Sequence, residues 1–77
     1  MRLRCEIPPD AVRRGIRWLE IEPADGGAYL FLYENIDAPC KYDHFFTSVE
    51  EALTASEESW SVARSDWHEV GRPQSSR

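Results

Sequence analysis

The chain lacks a long apolar run, since its longest uninterrupted stretch of hydrophobic residues is segment 28–33. A membrane-spanning helix needs about 20 consecutive apolar residues, so such a helix is excluded. Residues 2–7 alternate between charged and apolar side chains, whereas a secretory signal peptide requires a continuous apolar stretch. The sequence therefore predicts a soluble, cytoplasmic protein.

Cysteine is scarce, because Cys5 and Cys40 are the two cysteines of the chain and allow at most one internal disulfide. In a reducing compartment both are expected to be buried, free thiols. With 77 residues the chain is long enough for one small domain. A domain of that size buries only about 60–65% of the surface of its unfolded chain, and small folds often gain stability from a partner chain. This argument predicts a homodimer.

Recognisable metal and catalytic motifs are also missing. Four residues could in principle ligate zinc, namely Cys5, Cys40, His44 and His68. On one strand Cys40 and His44 would lie about 13 Å apart at about 3.3 Å per residue, too far for a shared tetrahedral ion. No motif places a cysteine beside a histidine, and the paired glutamates at 50–51 and 57–58 are predicted on an exposed helix face. We therefore expect no metal, no cofactor and no enzymatic activity.

Lysine is almost absent, with one lysine against eight arginines, and the charge is unevenly spread. Residues 1–17 hold five arginines against two carboxylates, a net charge of +3, and residues 18–77 hold four basic residues against twelve carboxylates, a net charge of −8. The basic patch predicted in the first segment consists of Arg2, Arg4, Arg13, Arg14 and Arg17. The acidic remainder repels phosphate, which disfavours nucleic acid as a partner.

Alternation of apolar and polar residues predicts an antiparallel meander. Strands are expected at residues 2–7, 16–22, 28–34 and 40–46, with a short edge strand at 67–70. Gly26 and Gly27 are expected to supply the positive φ angles of a tight hairpin turn. Residues 10–15 are expected to form a helical turn or a loop, with Gly15 as its C-cap.

Ser48-Val-Glu-Glu51 matches a capping box and predicts the start of an amphipathic helix that ends near residues 60–62. The predicted fold is α+β, a small antiparallel sheet of about four strands with one amphipathic helix packed on one face. A single domain is expected over residues 1–70, followed by a disordered tail at 71–77.

The strand at 28–34 is apolar on both faces, with Tyr29, Phe31 and Tyr33 on one and Leu30 and Leu32 on the other. One helix covers one face of such a sheet, so the second apolar face indicates an interaction surface. The leading hypothesis is a non-enzymatic protein-interaction module that self-associates through a sheet edge or the aromatic face. The predicted contact residues are Trp18, Tyr29, Phe31 and Tyr33. Ile16 and Trp18 are expected on one face of the second strand, opposite Leu19 and Ile21.

Two alternative functions remain open. The first is a small-ligand or regulatory binding protein with a pocket between helix and sheet, lined by Phe45, Trp60 and Trp67. The second is single-stranded nucleic-acid binding, in which the N-terminal arginines neutralise phosphates while the aromatic side chains stack on bases.

Three segments carry a resemblance to other proteins: Gly15-Ile-Arg-Trp-Leu-Glu-Ile21, Tyr29-Leu-Phe-Leu-Tyr33 and Tyr42-Asp-His-Phe-Phe46. This pattern resembles short uncharacterised bacterial proteins, some of them carried on mobile cassettes. The strand followed by the Glu-Glu-Ala-Leu helix start is more distantly similar to HicB-type antitoxin domains, which have a small sheet-plus-helix fold, although the Gly-Cys segment usual before that helix is absent here.

Overall fold

The computed structural model describes residues 2–70, so the tail expected at 71–77 lies outside the described residues. Within that range the chain forms one antiparallel sheet in the order β4-β3-β2-β1-β5 and one α-helix. The strands are β1 (Arg2–Glu6), β2 (Trp18–Ala24), β3 (Gly27–Tyr33), β4 (Tyr42–Phe46) and β5 (His68–Val70), and the helix is α1 (Val49–Trp60). Short 3-10 turns occupy Pro9–Ala11 and Arg64–Asp66. The predicted α+β class is confirmed, with five strands where about four were expected.

The helix covers the leucine face of the sheet. Cross-strand pairing places Leu19 opposite Leu32 and Ile21 opposite Leu30, so their side chains share one face. These four residues are buried, and Ala52 and Ser56 of α1 are buried as well. The Ser56 hydroxyl donates a hydrogen bond to the Ala52 carbonyl at 2.8 Å, which satisfies the one buried polar group on this helix face. We call this the inner face and the opposite side of the sheet the outer face.

The predicted N-cap of the helix is confirmed. Ser48 Oγ accepts a hydrogen bond from the Glu51 amide at 3.0 Å. The Glu51 carboxylate reaches back one residue further than a capping box requires, to the amide and hydroxyl of Thr47 at 2.9 and 2.8 Å. Those hydrogen bonds lower the pKa of Glu51. Among residues 2–70, no helix is long and apolar enough to cross a membrane.

Two expectations about the segment before β2 are corrected. Gly15 (φ +77°) does not cap a helical turn; with Arg14 (φ +56°) it forms a tight turn that Ile16 closes by donating its amide hydrogen to the Arg13 carbonyl at 2.9 Å. Two successive positive φ angles are typical of a type I′ hairpin turn, whereas a helical turn or a loop with a C-cap at Gly15 was expected. Ile16 precedes β2 and is fully buried in the core with Leu19, rather than on the sheet face opposite to that of Leu19 and Ile21.

The β2–β3 turn has Asp25 and Gly26 between the paired residues Ala24 and Gly27. Gly26 takes the expected positive φ of +80°, whereas Gly27 does not. Gly27 is needed for space instead, because a Cβ atom there would lie 2.0 Å from the Phe46 carbonyl oxygen. The thiols also differ from expectation: Cys5 is buried, but Cys40 is exposed because it follows a loop and precedes β4 rather than belonging to it.

Candidate functional site: an aromatic sheet face and a cleft beside the helix

The outer face of the sheet combines ion pairs at its centre with aromatic rings toward β4. Strand register places Arg4, Glu20 and Phe31 in one row across β1, β2 and β3. No helix or other strand of residues 2–70 packs over these side chains, since α1 contacts the sheet from the inner face. The side chains of this face must therefore satisfy one another or remain in contact with solvent.

Glu20 lies at the centre of that face and is 2% exposed. Its Oε2 atom accepts a hydrogen bond from Nε of Arg4 at 2.7 Å and forms an ion pair with Nη2 of the same guanidinium, also at 2.7 Å. Its Oε1 atom accepts a hydrogen bond from the Tyr33 hydroxyl at 3.1 Å and lies 3.4 Å from Nη1 of Arg2. Both carboxylate oxygens are thus occupied, which is what a buried charge requires.

Arg2 and Tyr33 complete this ionic cluster, which we define as Arg2, Arg4, Glu20, Glu22 and Tyr33. The Arg2 guanidinium also pairs with Glu22, and this hydrogen bond raises the Arg2 pKa. Burial, and then the negative charge of Glu20, raise the pKa of Tyr33 to about 12, so the phenol is a hydrogen-bond donor at neutral pH. The cluster contains two cations and two carboxylates and has no net charge.

An aromatic strip lies beside the ionic cluster and consists of Tyr29, Phe31 and Phe45. The Tyr29 and Phe31 rings are stacked with centroids 5.8 Å apart, and Tyr29 meets Phe45 edge-on at 5.0 Å. Arg2 lies over the Phe31 ring at 6.0 Å, which joins the strip to the cluster. Tyr29 and Phe45 remain 39% and 50% exposed. Exposed rings of this size placed side by side form an apolar patch.

The predicted contact residues share this outer face, but they differ in what they offer a partner. Tyr29 and Phe31 belong to the strip, whereas the hydroxyl of Tyr33 is engaged with Glu20. Trp18 is half-buried and pairs with Tyr33 across β2 and β3. Phe45 was not among the predicted contacts, yet it is the most exposed aromatic residue of the strip.

A cleft opens on the inner face, between the second half of α1 and strands β3 and β4. Its volume is about 380 Å³, within the lower part of the range of about 300–1,000 Å³ that is common for ligand pockets. Its lining residues are Arg14, Ile16, Leu30, Leu32, Tyr42, His44, Phe46, Ala55, Ser59 and Trp60. Of the three residues predicted for such a pocket, Trp60 is present. Phe45 points to the outer face and Trp67 packs elsewhere on the core, so these two assignments are corrected.

The five N-terminal arginines do not lie together. Arg2 and Arg4 belong to the outer face and are paired with Glu20 and Glu22. Arg13 and Arg14 project from the tight turn before β2, where Arg13 lies over the Trp60 ring at 5.2 Å and Arg14 lines the cleft. Arg17 follows both groups in sequence and is exposed.

Within residues 2–70 there is no group of three or more histidine, cysteine or acidic side chains arranged to hold a metal ion. The two thiols differ in reactivity for a physical reason. Burial raises the pKa of Cys5 to about 11, which keeps it protonated at neutral pH, whereas Cys40 is exposed.

A thiol-specific reagent should distinguish the two cysteines. At pH 8 the folded protein is expected to release one equivalent of chromophore from Ellman's reagent, through Cys40, and a second equivalent only in denaturant. The Cys40→Ser variant, which retains Cys5, is the control, and a rapidly reacting thiol in that variant would contradict the burial of Cys5.

The raised pKa values of Cys5 and Tyr33 mean that the folded state holds these protons more tightly than the unfolded state. The contribution of these two groups to the free energy of unfolding is therefore fully present below the unfolded pKa values, near pH 9–10, and is lost as the pH rises toward 11–12.

Comparison with protein-family profiles, with curated protein sequences and with solved structures found no significant match. The geometry described above is therefore the basis for a functional proposal.

Two site residues were missed by sequence reasoning for different reasons. Glu20 occupies a polar position in an alternating strand, and nothing local indicates that Arg4 and Tyr33 converge on it from neighbouring strands. Phe45 could have been found, because its parity in β4 already places it on the face opposite Tyr42 and Phe46.

Proposed function

We propose that the protein is a non-enzymatic interaction module that self-associates through its outer face, with a second copy of the chain as the occupant. The observation that supports this most strongly is the aromatic strip of Tyr29, Phe31 and Phe45 on the face opposite the helix. The centres of protein interfaces are enriched in tyrosine, phenylalanine and arginine. The strip and the adjoining Arg2 provide that composition.

The charges of the outer face favour a second copy over a nucleic acid. Arg2 and Arg4 already pair with Glu20 and Glu22, so they offer little free positive charge to phosphate. The ionic cluster at the centre of this face is neutral, so that part of the face is self-complementary in charge under a two-fold axis. Strand register adds Glu6 and Asp43 to the same face, so a nucleic acid would find no excess of positive charge there.

The position of the strip next to a sheet edge also supports self-association. β4 is a terminal strand of the sheet, and its residues 42–45 are all exposed. Edge strands without proline or internal lysine are poorly protected against pairing with other chains. A face-to-face dimer centred on the strip would cover Phe45 together with its neighbour Tyr29.

Light scattering tests the proposal. At high micromolar concentration the expected mass is twice 8.9 kDa. Phe45→Lys should raise the dissociation constant at least roughly 30-fold, because loss of a central interface aromatic costs about 2 kcal/mol or more and the residue occurs twice in a two-fold interface. High salt should not dissociate the dimer, since each copy has a net charge of −5 and salt screens their repulsion.

The matched control is Tyr42→Lys, which alters an aromatic residue of the same strand with a similar exposure of 41%, on the inner face. It is expected to keep the native mass. A strict 8.9 kDa monomer for the native chain would refute self-association. If both substitutions dissociate the dimer equally, the outer face is not the dimer contact, and the contact is assigned to the edge of β4. Circular dichroism of each variant establishes that it is folded.

A further inference from the structure

We propose that the cleft beside the helix binds a small organic anion with an apolar body, such as an aryl or alkyl carboxylate. This site lies on the inner face and concerns a different surface from the proposed dimer contact. The two proposals are therefore independent, and either can fail without the other.

The body of the cleft is suited to an apolar group. Its floor is formed by the core leucines Leu30 and Leu32, and one wall by the Trp60 ring. Leu30 and Leu32 are 3% and 5% exposed, so they would lose little further conformational freedom when a ligand covers them. A volume of about 380 Å³ admits a small molecule rather than a peptide segment.

Positive charge is present at the mouth of the cleft. Arg14 lines it, and the Arg13 guanidinium lies over the Trp60 ring at 5.2 Å. Among residues 2–70 no carboxylate is within ion-pair distance of either guanidinium. Glu34 lies beside the turn, with Oε2 at 3.2 Å from the position of a Cβ on Gly15, and this carboxylate is paired with Lys41 at 2.9 Å.

The backbone of this turn is an unusual place for arginine. Arg14 has a φ of +56°, in the left-handed region where asparagine and glycine are favoured in type I′ turns. A non-glycine residue held there costs conformational energy, and such strain is concentrated at functional sites. A turn chosen for stability alone would have Asn-Gly at this position, whereas Arg-Gly places an arginine side chain at the cleft.

The polar groups give the ligand an orientation. The guanidinium of Arg14 would donate paired hydrogen bonds to the carboxylate, a geometry in which arginine is stronger than lysine. The apolar body would then point past Trp60 toward Leu30. A neutral molecule of the same shape would gain the apolar contacts without the charged hydrogen bonds.

The test uses 4-phenylbutyrate as the probe and 4-phenylbutan-1-ol as its neutral counterpart. Binding of each compound is measured by titration in ¹H–¹⁵N correlation spectra of the full chain. Saturable shifts are expected at the Trp60 indole and the Ala55 amide, with the alcohol at least about tenfold weaker. Arg14→Asn should weaken binding of the acid about tenfold or more while it maintains or raises the urea midpoint of unfolding, because the turn geometry improves. Arg17→Gln is the matched control, since Arg17 is exposed and does not line the cleft.

Four results would overturn the site. These are absence of binding by the acid, equal binding of the acid and the alcohol, shifts confined to Tyr29 and Phe45 on the outer face, or equal loss of binding in the Arg14 and Arg17 variants. Light scattering of Arg14→Asn separates this site from the dimer contact, because the variant should retain the native mass.

Discussion

Glu20→Gln is expected to lower the free energy of unfolding by about 3 kcal/mol, the low end of the loss seen when one partner of a buried ion pair is removed. The low end applies because Arg2 and Arg4 are 39% and 32% exposed and can turn partly toward water. Glutamine preserves the shape of the side chain but replaces one acceptor oxygen by an N–H donor. That donor must then face either the Arg4 guanidinium, where a hydrogen bond is lost, or the Tyr33 hydroxyl, which can accept it instead of donating. In both orientations the carboxylate charge that pairs with Arg4 and Arg2 is removed.

Urea unfolding followed by tryptophan fluorescence measures this loss, with Glu22→Gln as the control. Glu22 lies on the same strand and the same face and also pairs with Arg2, but it is 47% exposed. An exposed pair contributes less than about 1 kcal/mol, so the control should change stability little. Equal losses in the two variants would show that the central position of Glu20 has no special energetic role.

Gly27→Ala is expected to destabilise the fold by about 3 kcal/mol, at the upper end for steric overpacking. The added methyl group would lie 2.0 Å from the Phe46 carbonyl oxygen and 2.7 Å from Cζ of Phe45. The phenyl ring can rotate away, but the carbonyl belongs to the backbone, so the end of β4 must move away from β3. Displacement of β4 would also disturb the edge-on contact between Phe45 and Tyr29.

Gly26→Ala is the control for this change, because it is the adjacent glycine and meets no atom within 4 Å. Its φ of +80° makes any side chain unfavourable, so a loss of about 1–2 kcal/mol is expected from conformation alone. The prediction is wrong if Gly26→Ala costs more than Gly27→Ala in urea unfolding. The pair thus separates backbone strain from steric exclusion at neighbouring positions of one hairpin.

Local sequence signals were sufficient for most of the fold. The alternation in β1, the hairpin turn at Gly26 and the Ser48 cap each arise from interactions within a few residues, and each is found where the pattern indicates. The short strand expected at 67–70, after a turn at Ser65-Asp66, is found as β5 over His68–Val70. These features need no knowledge of the tertiary structure.

The errors occur where distant residues or an uncommon backbone conformation decide the outcome. Gly15 resembles a helix C-cap until Arg14 is known to share its left-handed conformation, which arginine rarely adopts. Ile16 is buried because the chain enters the core before β2 begins. The burial of Glu20 depends on the register of three strands, which a local pattern does not contain.

Local patterns also predict part of the candidate sites, and the rest again depends on distant residues and on backbone conformation. Successive side chains of β3 point to opposite faces of the sheet, which separates the aromatic residues from the leucines and places Tyr29 and Phe31 on one face. The face that the helix covers was left open by the sequence, because both sets are apolar enough to form a core. Of the residues predicted for a pocket, Trp60 lines the cleft. Arg14 was expected in a helical turn or a loop, and neither of these alternatives places its side chain at the cleft.

The strand order has a consequence for the path by which the chain folds. β2 and β3 are joined by a two-residue turn and can pair by closing a minimal loop, whereas the pairing of β1 with β5 joins Arg2 to Val70. Closing a long loop has a larger entropic penalty than closing a short one, and contacts distant in sequence form slowly. The sheet is therefore expected to grow outward from its central hairpin, and the three-residue β5 to dock last, after β1 has joined β2.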